Sequence, residues 1–219
     1  MLVEPENKSR GSEMKRLCLL FVLLLQVGCG ASPEQASDAE LAVLRSADRE
    51  MEGSRLVREG KLVEGVSAYD EAIELNPNYA LAYSNRGLTY SELGQYDKAI
   101  ADYTEAIRLD PGDAEAYNNR GVAYSGLGQQ DKAIADYTAA IRINPGYALA
   151  YNNRGLTYSE LGQYNKAIAD YTEVIRLAPG NAPAYFNRGT SYNELGDADK
   201  AAADFARAKE LGFEPPEED

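Results

Sequence analysis

Residues 80–113 and 148–181 are identical at 29 of 34 aligned positions, and a looser copy, residues 114–147, fills the interval without a gap. A unit of 34 residues is too small to fold around a core of its own. It has to bury its apolar face against the next copy, so the chain builds a stack rather than a globule. Two worn copies flank the three, residues 46–79 before them and 182–215 after. Five units therefore account for residues 46–215, and the expected fold is all-α.

Within residues 80–113, Ala80–Leu93 holds no proline and is followed by Gly94, a helix-stop signal. A second helical run, Asp97–Leu109, opens with an acidic residue and ends before Pro111-Gly112, which cannot continue a helix. Two helices of about 13 residues joined by a short turn make an α-hairpin. Small residues recur where the two helices cross: Gly87 with Ala99, Gly121 with Ala133, Gly155 with Ala167, Gly189 with Ala201. Large ones recur beside them, as Tyr83, Tyr90 and Tyr103 do in the second unit. Fixed spacing assigns these tyrosines to packing rather than to ligand recognition.

The order aromatic, Gly, Tyr, Ala, aromatic, Ala, Pro at a period of 34 resembles the tetratricopeptide repeat (TPR) family. The resemblance spans all five units: 46–79, 80–113, 114–147, 148–181 and 182–215. It implies an α-solenoid of stacked helix-turn-helix units in a right-handed superhelical array, with the first helices lining a concave groove. The ends read as ends. Ser37-Asp38-Ala39-Glu40 is a capping box that starts the first helix ahead of its unit, within a linker and extension over residues 29–45. In the last unit Ile100, Ile134 and Ile168 give way to Ala202, and Ile107, Ile141 and Ile175 to Lys209, which softens the terminal face. Phe213 stands where Pro is expected, and residues 216–219 form an acidic tail.

Each of the four later units carries Asn-Arg-Gly, placing Asn85, Asn119, Asn153 and Asn187 at one repeat position. Leu81, Leu88 and Glu92 share the helix face of Asn85, and Leu149, Leu156 and Glu160 that of Asn153. The row resembles the asparagine ladder in the TPR region of O-linked N-acetylglucosamine transferases, which holds the backbone of an extended peptide. An amide suits that task because it both donates and accepts. Ser91, Ser125, Ser159 and Asn193 extend the expected groove floor, and Glu92, Glu160 and Glu194 its edge. No lysine cluster resembles the carboxylate clamp of chaperone-binding TPR proteins, so a neutral or basic extended segment suits the groove better than a free C-terminus. The competing reading is that the amides only bridge neighbouring helices. Arg86, Arg120, Arg154 and Arg188 are each followed sixteen residues later by Asp102, Asp136, Asp170 or Asp204; in the first unit both are missing, which points to ion pairing rather than to anion binding.

Upstream, Lys15-Arg16 precedes the apolar run Leu17–Leu25, too short to span a bilayer, and then Gln26-Val27-Gly28-Cys29-Gly30. This resembles the signal and lipobox of bacterial lipoproteins, with Gln26 in the place usually held by Leu. The resemblance implies that residues 1–28 are a leader, with residues 1–13 upstream of a true start at Met14. It also implies acylation at Cys29 and a membrane anchor at the bacterial envelope. Gly30 rather than Asp implies the outer membrane, facing the periplasm.

The formal charge is −13, and setting aside residues 1–28, with four basic and three acidic groups, leaves −14. Such a surface repels phosphate backbones, so nucleic acid is not the expected partner. The chain has no histidine, no thiol after Cys29 and no Gly-rich phosphate loop, so no nucleophile pair, cofactor site or metal site is legible. The expectation is a non-enzymatic adaptor that binds a protein or peptide segment. The alternative is a self-associating structural protein of envelope, pilus or secretion assembly. Oligomeric state is not legible.

Overall fold

The computed structural model describes residues 37–214. The leader, Cys29 and the tail beyond residue 214 lie outside the described residues. Ten helices and no strand are found among the described residues: α1 Asp38–Arg58, α2 Leu62–Leu75, α3 Ala80–Glu92, α4 Tyr96–Leu109, α5 Ala114–Gly126, α6 Gln130–Ile143, α7 Ala148–Glu160, α8 Tyr164–Leu177, α9 Ala182–Glu194 and α10 Ala198–Glu210. Among the described residues, 37–44 and 45–214 belong to separate compact units.

In the first of these, α1 opens on the expected capping box. The Ser37 N–H and hydroxyl donate to Glu40 Oε2 at 2.7 and 2.8 Å, and the Glu40 N–H donates to Ser37 Oγ at 3.3 Å. Two orphan donors of the first turn are thereby satisfied. The same bonds hold the Glu40 carboxyl below its ordinary range.

From Arg45 onward the helices stack in chain order, each packing on its neighbours. The partner helices of one unit are joined by a tight reversal. After α3, the Gly94 N–H donates to the Ser91 carbonyl (3.0 Å) and the Gln95 N–H to the Tyr90 carbonyl (2.8 Å). This Schellman closure requires the left-handed Gly94, at φ +70°. Between units, Asp110 Oδ1 accepts from the Gly112 N–H (2.9 Å), and Asp113 caps α5 by accepting from the Glu115 and Ala116 N–H groups at 2.9 and 3.0 Å.

Packing follows the small-against-large pattern of the sequence. A methyl group on Gly121 would sit 2.7 Å from the Tyr137 ring, and one on Gly155 2.9 Å from Tyr171. The helices cross this closely only because those positions lack a side chain. Tyr103, Tyr137 and Tyr171 are fully buried. At the last unit Ala202 and Lys209 are exposed, and Phe213 folds back onto Phe186 with ring centroids 4.8 Å apart. An aromatic ring thus covers the place where a proline was expected.

Burial pushes the Tyr103 hydroxyl up to about 12, and it also raises Tyr137 and Tyr171. A phenol whose folded pKa exceeds its unfolded value of 10.0 adds stability below pH 10 and loses it as pH rises toward the folded value. We expect phenolate absorbance to rise in two steps, half-buried tyrosines first and the core ones together with loss of helical signal. A single step complete before unfolding would contradict this burial.

Candidate functional site

Helix periodicity decides which residues of the first helices escape the stack. On α3, Ala82, Gly87 and Thr89 are buried, while Leu81 and Leu88 remain 49% and 43% exposed. On α7, Ala150, Gly155 and Thr157 are buried, while Leu149 and Leu156 remain 50% and 40% exposed. Half-exposed leucines recurring at two positions of one helix face are left uncovered by the fold's own packing. Asn85 and Asn153 lie between these leucines, and the predicted amide is half-buried in all four units.

The four asparagines are not equivalent. Asn85 Nδ2 donates to Glu50 Oε1 at 2.7 Å, and Asn153 Nδ2 donates to Asn118 Oδ1 at 3.0 Å, each reaching back to the preceding unit. Asn119 only accepts, from Asn118 Nδ2 at 3.2 Å, which leaves its own NH₂ unspent. The Asn187 amide has no hydrogen bond among the described residues, and its backbone carbonyl accepts from Ser191. The two readings of the row thus divide by unit: Asn85 and Asn153 bridge helices, and Asn119 and Asn187 keep donors to offer. Glu50 and Asn118, the buried partners, are polar residues that sequence reasoning passed over. Their signal was available, since each precedes the ladder position of its own unit.

The predicted hydroxyl floor is partly turned inward. Ser91 Oγ is sealed from solvent without a partner, facing the equally unpaired Tyr103 hydroxyl. Ser159 Oγ lies 3.5 Å from the Tyr171 hydroxyl and 3.2 Å from Ser191 Oγ. Ser125 is half-buried and Asn193 exposed. Position near the C-terminal end of a first helix aims this side chain at the buried tyrosine of its own unit, which spacing alone did not reveal.

The arginines behave as the ion-pair reading expects. Arg86 donates from Nε and Nη2 to Asp102 at 2.8 and 2.7 Å, and Arg120, Arg154 and Arg188 hold Asp136, Asp170 and Asp204 in the same fork. The remaining Nη1 reaches the preceding unit: Asp70 for Arg86, then Thr104, Thr138 and Thr172 at 3.0, 2.9 and 3.1 Å. Each guanidinium also lies over two tyrosine rings, Tyr83 and Tyr90 in the case of Arg86. With all three guanidinium nitrogens engaged, these arginines are staples between units. Burial raises the Asp102 carboxyl against the pull of Arg86, while pairing holds Arg120, Arg154 and Arg188 above the ordinary arginine range.

The exposed face is acidic. Glu92, Glu115, Glu160 and Glu194 all reach solvent. Among the described residues no cluster of three or more His, Cys, Asp or Glu could hold a metal ion, and no helix is long and apolar enough to cross a membrane.

Comparison with known proteins bears on this geometry. Tetratricopeptide repeat models match residues 114–147, 148–181, 68–101 and 170–203, and a TPR repeat model matches residues 90–128. The chain is similar to the crystal structure of MamA protein, at 30% identity and a TM-score of 0.71, covering 76% of this chain and 91% of that one. It shares its fold with YrrB, described as a TPR protein with an unusual peptide-binding site, at 22% identity and a TM-score of 0.64 over 75% and 84% of the two chains. Small glutamine-rich tetratricopeptide repeat-containing protein 2 of Mycosarcoma maydis is 38% identical over 64 residues, 29% of this chain and 18% of that protein. The chain spans less than a fifth of the length of the curated relatives it matches.

Proposed function

The chain belongs to the tetratricopeptide repeat family, and from that premise we propose that its first-helix face binds an extended segment of a partner protein. The fold is that of a protein-interaction scaffold, and the finer reading rests on one observation. Half-exposed leucines flank Asn85 and Asn153, and the intervening amides of the row, Asn119 and Asn187, still have hydrogen-bonding groups to offer. Apolar contact supplies affinity, and the amides select main chain, so little sequence is read by them. Acidic residues along the face favour a neutral or basic segment.

Two amide contacts at about 0.5–1.5 kcal/mol each make Asn119→Ala with Asn187→Ala weaken segment binding by roughly tenfold. Asn187→Ala alone leaves helical melting unchanged, while loss of the Asn119 acceptor from buried Asn118 Nδ2 lowers it somewhat in the double variant. Asn85→Ala acts differently. It removes a partner from Glu50, which is only 7% exposed, and so lowers stability first. Peptide binding and thermal melting, measured together on the double variant, Asn187→Ala and Asn85→Ala, separate these effects; unchanged binding in a well-folded double variant would sink the groove reading.

We further propose that Cys29 is acylated and tethers the protein to the bacterial envelope, on the outer membrane facing the periplasm. The support is the basic pair Lys15-Arg16, the short apolar run and the small residues around the cysteine. Cys29→Ser is expected to move the protein from the membrane fraction to the soluble one, or to leave it uncleaved. Membrane retention unaffected by that substitution would refute the anchor.

A further inference from the structure

The exposed face has a second period, of two units rather than one. The residue just before each first helix alternates Tyr79, Asp113, Tyr147, Asn181. Two places into the helix the sequence alternates again, Leu81, Glu115, Leu149, Pro183. The amides follow the same rhythm, with Asn85 and Asn153 spent on the preceding unit and Asn119 and Asn187 not. The acidic unit adjoins the apolar one: Tyr147 is raised by burial and by the nearby charges of Glu115 and Asp113. Packing within the array does not ask for this alternation, because Leu81, Glu115 and Leu149 are all exposed.

An extended chain supplies the physical reason for such a period. Neighbouring first helices in a stack lie roughly 10 Å apart, allowing for the usual spread of helix packing. A ligand strand advances roughly 3.3 Å per residue, so one unit corresponds to about three residues. Side chains alternate sides along a strand, and three is odd. A ligand side chain that points to the Leu81 edge at the second unit therefore points away from that edge at the third, and returns to it at the fourth, about six residues on. An array reading an extended segment needs equal chemistry at alternate units, which is the pattern of residues 80–113 and 148–181.

Resting on the groove reading above, we infer that the ligand is an extended segment with two apolar side chains six residues apart and a lysine or arginine between them. The apolar pair seats against Tyr79 and Leu81 at one end and Tyr147 and Leu149 at the other. The long basic side chain, two or four places after the first apolar residue, reaches Glu115. Its backbone between the seats lies along Asn119.

Labelled synthetic peptides on a Gly/Ser/Thr background test this with the full-length chain by fluorescence anisotropy. Each carries two leucines separated by five, six or seven positions, with lysine or glutamine four places after the first leucine. The six-residue lysine peptide is expected to bind roughly tenfold more tightly than the five- or seven-residue ones. Leu81→Ser with Leu149→Ser removes the preference for six, and Glu115→Gln removes the preference for lysine over glutamine. All three sites are exposed, so folding is preserved, and circular dichroism verifies it. Equal binding at all three spacings overturns the two-unit pattern while leaving the groove intact. Failure of every peptide to bind a folded chain overturns the groove reading and this inference together.

Discussion

Asp170→Ala is expected to cost about 3–5 kcal/mol, read as an earlier urea transition, because it leaves a buried guanidinium without its counter-charge. Arg154 donates to Asp170 from Nε and Nη2 at 2.9 and 2.7 Å, with side-chain exposures of 17% and 6%. Only the Thr138 hydroxyl, 2.9 Å from Nη1, would remain as a hydrogen-bond partner. The Tyr151 and Tyr158 rings, 5.8 and 5.9 Å from the guanidinium carbon, restrict the side chain and hinder its escape to water. Replacing both members, Arg154→Met with Asp170→Leu, is expected to recover most of the loss, since an apolar pair of similar volume carries no desolvation cost. A single variant as stable as the parent would show that the pair contributes nothing to the array.

Tyr137→Ala is expected to cost a similar amount, about 3–5 kcal/mol, through the cavity left where a fully buried ring stood. The ring fills the space that Gly121 leaves open on the facing helix, so the two positions are coupled. Gly121→Ala alone puts a methyl group 2.7 Å from the ring and is expected to cost about 1–3 kcal/mol. In the Tyr137→Ala background the same change costs less, and a double-mutant cycle read by denaturant unfolding gives the coupling directly. Additive losses would mean that the helices do not meet at this contact. Because units in a stack depend mainly on their neighbours, damage at the third unit also weakens the second and fourth.

Both effects were legible in part before any coordinates. Periodicity placed Gly121 and Tyr137 in the packing set, and the joint loss of Arg and Asp from the first unit pointed to their pairing. Helix ends were legible to within one residue, as with Ala80–Leu93 against the observed Ala80–Glu92, because glycine and proline stop helices by local sterics. The inner face was less legible. Asn85, Asn119, Asn153 and Asn187 look alike in sequence, yet Asn85 and Asn153 find their partners at the residue before the ladder position in the preceding unit, Glu50 and Asn118, where Asn119 has Ser84 and Asn187 has Asn152. Ser84 is too short to answer Asn119, and its hydroxyl stays buried without a partner. Likewise Ser91 and Ser159 read as groove residues, but the helix pitch turns their hydroxyls toward buried tyrosines.

The sequence by itself determined the stack: a 34-residue period of small and large residues admits one way of burying the apolar faces, unit upon unit. It also determined where helices stop and which charges pair, because these depend on neighbours at fixed separations along the chain. Only the tertiary structure decided which amides are spent within the array and which remain to offer. That outcome depends on side-chain reach across the seam between units, a distance that no repeat spacing encodes.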